Sequence, residues 1–560
     1  MIGLISATAA GAAARDRLAA AWPGRTRVYE GPVGEAVRAA FAECEQLVCF
    51  LATGAVVRLL APLLAGKAAD PGVVCVDEGG RFAVSLLGGH GGGANALARE
   101  VGAVLGAEPV VTTATDAAGL PGLDTLGLPY EGAVAAVSRA LLDGEPVALE
   151  AEVAWPLPPL PVAPEGAYTI RVTDRAVAAG EREVLLRPPS LVVGVGASKG
   201  APAEEVLGLV EEALREAGLS PRSVAELATV DAKAGEPGIV AAAERLGVPL
   251  VTYSAGELAA VEVPNPSDAP LAAVGTPSVA EAAALVRGGE LLVPKRKSDA
   301  RPAMATCAVV RRPGRGRLAV VGLGPGARDL LTPRAAAELR RASVLVGLDQ
   351  YVDQIRDLLR PGTRVLESGL GAEEERARTA VAQAREGHAV ALIGSGDAGV
   401  YAMASPALAE ASDDIDVVGV PGVTAALAAG AILGAPLGHD HVSISLSDLH
   451  TPWEVIERRV RAAAESDLVV TFYNPRSRGR DWQLPKALGI LGEHRDAGTP
   501  VGVVRNASRP DESGRLTTLG ALDPATVDMM TVVTVGNTAT RNIAGRMVTP
   551  RGYRWQEDPK

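Results

Sequence analysis

Residues 318–332, LAVVGLGPGARDLLT, decide the fold class. Leu318–Val321 is a run of four apolar residues, which predicts a strand buried on both faces, as in a parallel sheet covered by helices. Gly322, Gly324 and Gly326 then bend the chain, and Pro325 stiffens the bend. Glycine has no Cβ, so backbone amides in such a turn approach a ligand closely. Thr332-Pro333 predicts an N-cap followed by proline at the first helical position. Ser343–Val346 predicts the next strand, and strand, turn, helix, strand is the α/β pattern. The glycine turn alone fits two readings. One is a tight strand-to-helix connection without a ligand. The other is the dinucleotide pattern G-x-G-x-x-A, with Asp349 near the place of a ribose-binding acid. A helix that starts at Thr332, well after the glycines, counts against the second.

Four further stretches of the same region end a predicted strand in a small or polar turn. Ala389–Ile393 runs into GSGDAGVY (394–401), and Val417–Val420 into PGVTAA (421–426). Leu468–Tyr473 runs into Asn474-Pro475-Arg476, and Val532–Val535 into Gly536-Asn537-Thr538. In an open α/β sheet such turns collect at the carboxyl edge, where ligands bind, so five of them predict a single cleft.

Upstream, Met1–Ser6 predicts a strand and Ala9–Ala21 a helix with Thr8 as its N-cap. Leu47–Leu51, Val73–Val76 and Phe82–Leu87 predict further strands. Gly88, Gly89, Gly91, Gly92 and Gly93 surround His90, and a helix begins at Asn95. So many glycines are costly in chain entropy, which implies that backbone comes close to something there. Either this is a helix-packing turn capped by Asn95, or it is a loop holding a polar or anionic ligand beside His90, a group suited to proton transfer. The predicted organisation is an α/β domain at 1–150, a Pro-rich linker or small irregular segment at 151–190, and a second α/β domain at 191–310. A charged joint at 311–317, RRPGRGR, precedes a last unit at 318–553.

Composition narrows the function. A length of 560 residues predicts several domains, and the 48% apolar content is ample for their cores. A net charge of −12 disfavours a nucleic-acid partner. The N-terminus lacks the basic-then-apolar order of a signal peptide, and Val423–Leu437, the longest mostly apolar run, is too short to span a bilayer. A cytoplasmic protein without a membrane partner is expected. Cys44, Cys49, Cys75 and Cys307 form no C-x-x-C and read as core thiols, so no metal site is expected.

GLGPG (322–326) with Leu330-Leu331-Thr332, GSGDAGVYAMASP (394–406) and VPGVTAALAAGAILGAPLGHD (420–440) resemble the tetrapyrrole methylases. SISLSDLHTPWEVIERR (443–459), TFYNPRS (471–477) and TVVTVGNT (531–538) look like the branch of precorrin-3B C(17)-methyltransferases. LLGGHGGGANALA (86–98), GVGASKGAPAEEV (194–206) and the 224–306 segment resemble the cobalamin-synthesis protein CbiG, a family of cobalt-precorrin-5A hydrolases. The departure from the methylase pattern is Ala398, where the broader family usually has proline.

The resemblance implies a two-lobed class III methyltransferase that takes S-adenosylmethionine and a small-molecule tetrapyrrole, and assembles as a homo-oligomer through the methylase half. Carried over by motif, Pro325, Ser395, Gly396, Asp397, Val400, Thr424, Ala425, Asn474 and Ala507 are the implied cofactor contacts. The family's ring contraction calls for a base, and Asp448, His450 and Thr451, after the predicted strand Val442–Leu446, are the candidates. His90 is the candidate base for lactone hydrolysis by the N-terminal half. The alternative there is a non-catalytic corrinoid carrier, and for the methylase a relative acting on RNA or a diphthine-type substrate. Arg476/Arg478/Arg480 and Lys295/Arg296/Lys297 are candidate sites for substrate carboxylates.

Overall fold

The computed structural model describes residues 1–552 except 67, 68, 268–270, 272–274 and 478. Arg478 and the far end of the expected 318–553 unit lie outside the described residues. The chain divides into two compact units, Met1–Gly314 with Arg360–Gly362, and Arg315–Leu359 with Thr363–Lys560.

The first unit carries three sheets. The N-terminal one has six strands in the order Thr26–Tyr29, Ile2–Ser6, Gln46–Phe50, Gly72–Val76, Phe82–Leu87, Glu108–Val110; Phe82–Leu87 runs antiparallel to Gly72–Val76. Alternate residues serve opposite faces, as the pleat requires. Leu4, Val48 and Val74 pack with Leu18, Leu97 and Val101. Ile5, Cys49 and Cys75 pack with Val37 and Val56 on the other side. Burial pushes the Cys49 thiol up to about 12, so it is a neutral core group.

The segment expected as a linker at 151–190 is more than that. Its prolines cluster at 156–164, which is irregular, but Tyr168–Val172 and Glu183–Leu186 are proline-free and form strands. They join Tyr130–Gly132 and Val147–Ala151 in a four-stranded sheet. Ile170, Val172, Val184 and Leu186 bury against Val137 and Leu141, so this small sheet has its own core. A third sheet has the order Leu250–Tyr253, Val224–Val230, Leu191–Ala197, Ala305–Arg311, Glu290–Lys297. Arg311 grips Asp174 through two nitrogens at 2.6 and 2.8 Å, and Ser190 donates to the same carboxylate at 2.9 Å.

The second unit has two principal sheets. In the first, Arg364–Ser368, Val344–Leu348, Ala389–Gly394, Arg317–Gly322 and Asp416–Val420 lie side by side, all parallel. Thr332 caps the Pro333–Arg341 helix, its hydroxyl accepting from the Ala335 amide at 3.1 Å. The second sheet is mixed, in the order His441–Ser445, Val469–Tyr473, Thr531–Val535, Pro500–Arg505, Ser513–Thr518. Thr531–Val535 is antiparallel to its neighbour Val469–Tyr473. That reverses one expectation: the Gly536-Asn537-Thr538 turn leaves at the edge opposite Asn474. The start of this strand, not its end, faces the cleft.

Candidate active site

The turns at the carboxyl edge of the parallel sheet are bonded to one another. Gly324 and Gly396 exchange amide–carbonyl bonds at 3.0 and 2.8 Å. A Cβ on Gly322 would sit 2.7 Å from the Gly396 carbonyl oxygen and 2.9 Å from the Gly422 amide nitrogen, so three loops converge where a side chain has no room.

Against these loops lies a cavity of about 290 Å³. One wall comes from the parallel sheet: Pro325, Ser395, Gly396, Val400, Tyr401, Thr424 and Ala425. The other comes from the mixed sheet: Tyr473, Asn474, Asn506, Ala507, Arg509 and Met529–Thr531. The structure thus brings together the implied cofactor contacts with one exception. Asp397 is not in the wall; its carboxylate accepts from the Gly399 amide at 2.8 Å and the Gly422 amide at 3.0 Å, tying two of the loops together. Asp349, exposed at the start of its helix, bonds the Gln350 amide and is also absent from the wall.

Sequence reasoning passed over several wall residues. The Tyr473 hydroxyl accepts from the Ala426 amide at 2.8 Å and lies 2.5 Å from Thr424 Oγ1, so a side chain of the mixed sheet caps the Ala425–Leu433 helix. Burial raises the pKa of Tyr473, which keeps it neutral. Tyr401, at φ 53°, packs against Tyr473 with ring centroids 5.3 Å apart and planes tilted at 54°, and donates to the Ser443 carbonyl at 2.8 Å. Arg509 donates to the Pro325 carbonyl at 2.8 Å and to Ser395 Oγ at 3.1 Å. Tyr401 and Tyr473 stood inside quoted motifs; nothing local marked Arg509 or the Met529-Met530 pair.

Asp448, His450 and Thr451 leave the His441–Ser445 strand at the same edge as Asn474, because that strand runs parallel to Val469–Tyr473. They do not line the cavity. Asp448 accepts from Gln483 at 2.9 Å, and His450 is exposed. Two of the arginines proposed for substrate carboxylates bond backbone carbonyls of this unit instead. Arg480 is buried and donates to the Leu446 and Asn474 carbonyls, while Arg476 donates to those of Pro524 and Ala525. In the other cluster, Lys295 bonds the Asn265 carbonyl and Arg296 pairs with Glu216 at 2.6 Å.

The wall suits an amphipathic nucleoside–amino acid. Ala507, Met403 and Ile393 give apolar surface, and Ser395, Thr424 and Asn474 offer a few convergent polar groups.

In the first unit, His90 borders an open groove of about 800 Å³ together with Gly91–Gly93 and residues 41–46 and 69–71. Its Nε2 lies 2.6 Å from Thr115 Oγ1 and 3.7 Å from Asp116. Asp116 accepts from Thr113, Asn95 and Arg99 at 2.6, 3.0 and 2.6 Å. Burial alone would raise the Asp116 pKa; the bonds from Thr113 and Arg99 outweigh it and hold the carboxyl below its ordinary value. Asn95 does not cap the helix. It is buried in this network, and Gly93, at φ 72°, holds the cap position. The amides of Ala94 and Asn95 bond the Gly88 and Gly89 carbonyls at 3.1 and 3.0 Å, so they are not free for an anion. Some of the glycine content is packing: a Cβ on Gly92 would lie 2.7 Å from the Gly72 nitrogen.

These features define a small-molecule cleft between two sheets and, in a separate unit, a histidine-centred polar network. Residues 317–523 match the model of the Tetrapyrrole (Corrin/Porphyrin) Methylases, and residues 35–116 and 191–310 match Cobalamin synthesis G N-terminal and Cobalamin synthesis G C-terminus. A protein of Salmonella typhimurium (strain LT2) named "Probable cobalt-factor III C(17)-methyltransferase" is 47% identical over 239 residues, 42% of this chain and 99% of that one. The "Precorrin-3B C(17)-methyltransferase" of Sinorhizobium sp is 41% identical over 250 residues, 42% of this chain and 97% of its own. The crystal structure of the methyltransferase CobJ is 39% identical, covering 42% of this chain and all of that one, with a TM-score of 0.40. The chain belongs to the tetrapyrrole (corrin/porphyrin) methylases, and it joins that methylase to CbiG domains. The cofactor of the family is S-adenosylmethionine. No helix among the described residues is long and apolar enough to cross a membrane.

Proposed function

We propose that the C-terminal half transfers a methyl group from S-adenosylmethionine to C(17) of precorrin-3B or its cobalt counterpart, with contraction of the macrocycle. The observation that carries this reading is the gathering of Pro325, Ser395, Gly396, Thr424, Ala425, Asn474 and Ala507 around one cavity. Bound there, the sulfonium supplies a methyl already activated for transfer. The chain's own task is alignment and exclusion of water, which together supply roughly 7–11 kcal/mol of such a barrier. Thr424 and Ala425 open a helix whose N-terminus is fixed by Tyr473, and Tyr401 covers Tyr473. Asp448, His450 and Thr451 emerge beside Asn474, on the edge where a macrocycle larger than the cavity would extend, and remain the candidates for the base of the contraction. Calorimetry of the full chain with S-adenosylmethionine, and with NAD in parallel, is the test. Heat with the first alone supports the reading; heat with NAD alone overturns it.

The N-terminal half, on the same reading, opens the lactone of cobalt-precorrin-5A. His90 takes the proton of the attacking water, and Thr115 and Asp116 hold its Nε2 side. The groove walls carry Glu43, Glu45 and Asp70, but each is engaged: Glu43 by Arg27, Glu45 by the N-terminal amine, Asp70 by the Ala65 and Gly66 amides. Carriage of a corrinoid without chemistry is the second reading, favoured by the packing role of Gly72 and Gly92.

A further inference from the structure

Arg509 stands apart from the other charged groups of the cleft. Glu373 and Arg376 also reach the cavity and pair with each other at 3.4 Å. Arg509 has no carboxylate partner among the described residues. It spends Nε on the Pro325 carbonyl and Nη2 on Ser395 Oγ, both neutral acceptors, and its Nη1 has no hydrogen-bond partner among the described residues. Glu512, on the same loop, is turned to the Ser508 amide at 2.6 Å.

The placement is built. Gly326 sits at φ 145°, and a Cβ there would lie 2.4 Å from Arg509 Cγ, so the glycine turn makes room for this side chain. Asn506, Ser508 and Asp511 all hold left-handed backbone, at φ 50°, 61° and 64°. Non-glycine residues are uncommon in that region and persist where surrounding contacts impose them. The Asn506 amide bonds the Met530 carbonyl and the Arg509 amide bonds the Asn506 carbonyl, which set the loop.

A guanidinium held at a cavity wall by neutral acceptors, with part of its fork unspent, is complementary to a carboxylate. We propose that Arg509 is a carboxylate-recognising residue of the methylase cleft, its guanidinium binding a carboxylate of a ligand held between the two lobes. The inference rests on the reading of this cavity as the methyl-donor site. The carboxylate has two possible sources, the amino-acid end of the methyl donor and an acid side chain of the tetrapyrrole; the chemistry is shared, and experiment separates them.

The test uses the full chain, as wild type, Arg509→Gln and Arg509→Lys, with thermal melts to establish that each variant is folded. Dissociation constants are measured for S-adenosylhomocysteine, for its decarboxylated form S-adenosyl-3-thiopropylamine, and for uroporphyrin III, a carboxylate-rich tetrapyrrole. If the donor supplies the carboxylate, Arg509→Gln weakens S-adenosylhomocysteine roughly 10- to 100-fold, as a charge-assisted hydrogen bond would. The decarboxylated form then binds wild type and variant alike, and Arg509→Lys falls between them. If the tetrapyrrole supplies it, both nucleosides are unaffected and uroporphyrin III alone weakens. Unchanged binding of all three probes, or equal weakening of both nucleosides, overturns the proposal. Wild type that binds neither nucleoside overturns the reading of the cavity itself, a failure distinguishable from the other.

Discussion

The Tyr473 hydroxyl lies 2.5 Å from Thr424 Oγ1 and accepts the Ala426 amide at 2.8 Å, so one side chain of the mixed sheet completes the helix terminus that the parallel sheet presents to the cleft. Tyr473→Phe keeps the ring against Tyr401 and removes only the hydroxyl. The expected outcome is a folded protein destabilised by about 1 kcal/mol, with S-adenosylhomocysteine bound several-fold more weakly. Thermal melting and calorimetry read the two effects. Unaltered affinity would mean that Thr424 needs no fixing from Tyr473.

Asp397 acts through the loops. With its two oxygens on the Gly399 and Gly422 amides, Asp397→Ala leaves two loop donors without their acceptor. Cofactor-free protein is expected to lose about 2 kcal/mol of stability, and the affinity for S-adenosylmethionine falls with it. Melting in the absence of cofactor checks the first effect. A variant as stable as wild type but unable to bind would instead make Asp397 a direct contact.

Thr115 and Asp116 hold the Nε2 side of His90, and this predicts an order of effects on acetaldehyde release from cobalt-precorrin-5A. His90→Ala abolishes release while the corrinoid still binds. Asp116→Asn, which weakens the hold on Arg99, Thr113 and Asn95, lowers the rate roughly 10-fold and moves its pH profile. A wild-type chain that binds the corrinoid and never releases acetaldehyde would favour carriage.

Asp174 makes stability pH-dependent. Burial would raise its pKa, yet the Arg311 fork and the Ser190 hydroxyl, with the charge of Arg311, hold it below the ordinary carboxylate value. A depressed folded-state pKa adds stability that is complete above the unfolded value of about 4 and is lost as pH falls through the folded one. Asp174→Asn is therefore expected to destabilise the Met1–Gly314 unit by about 3 kcal/mol at pH 7, with the gap from wild type closing below pH of about 4. Denaturant melts at several pH values measure the gap; a gap that widens in acid would reverse the sign.

Much of this was legible because it is local. The turn at 322–326, the Thr332 cap and the turns after 394 and 421 are set by glycine, proline and a hydroxyl at fixed spacing, and so were readable. The second wall depends on pairing between distant strands. Whether 531–535 runs with or against 469–473 is written in no short stretch, so the wrong end of that strand was assigned to the cleft. The capping of Ala426 by Tyr473 crosses between sheets and leaves no local pattern. Asp397 is readable as a polar residue between glycines and, by motif, as a cofactor contact, but its bond to the Gly422 amide, 25 positions away, leaves no local sign. In the 151–190 segment, the prolines masked two short strands whose partners lie at 130–132 and 147–151.

The central claim is methyl transfer to a corrin precursor in the cleft between the two sheets. Mass spectrometry after incubation of the full chain with S-adenosylmethionine and either precorrin-3B or its cobalt form tests it most directly. The expected result is a gain of one methyl group by the macrocycle, with S-adenosylhomocysteine formed in equal amount, and a lower yield of both at sub-saturating S-adenosylmethionine in protein carrying Tyr473→Phe and Arg509→Gln together. A chain that binds S-adenosylmethionine but leaves both tetrapyrroles unmethylated, or that methylates RNA or a diphthine-type substrate instead, would contradict it.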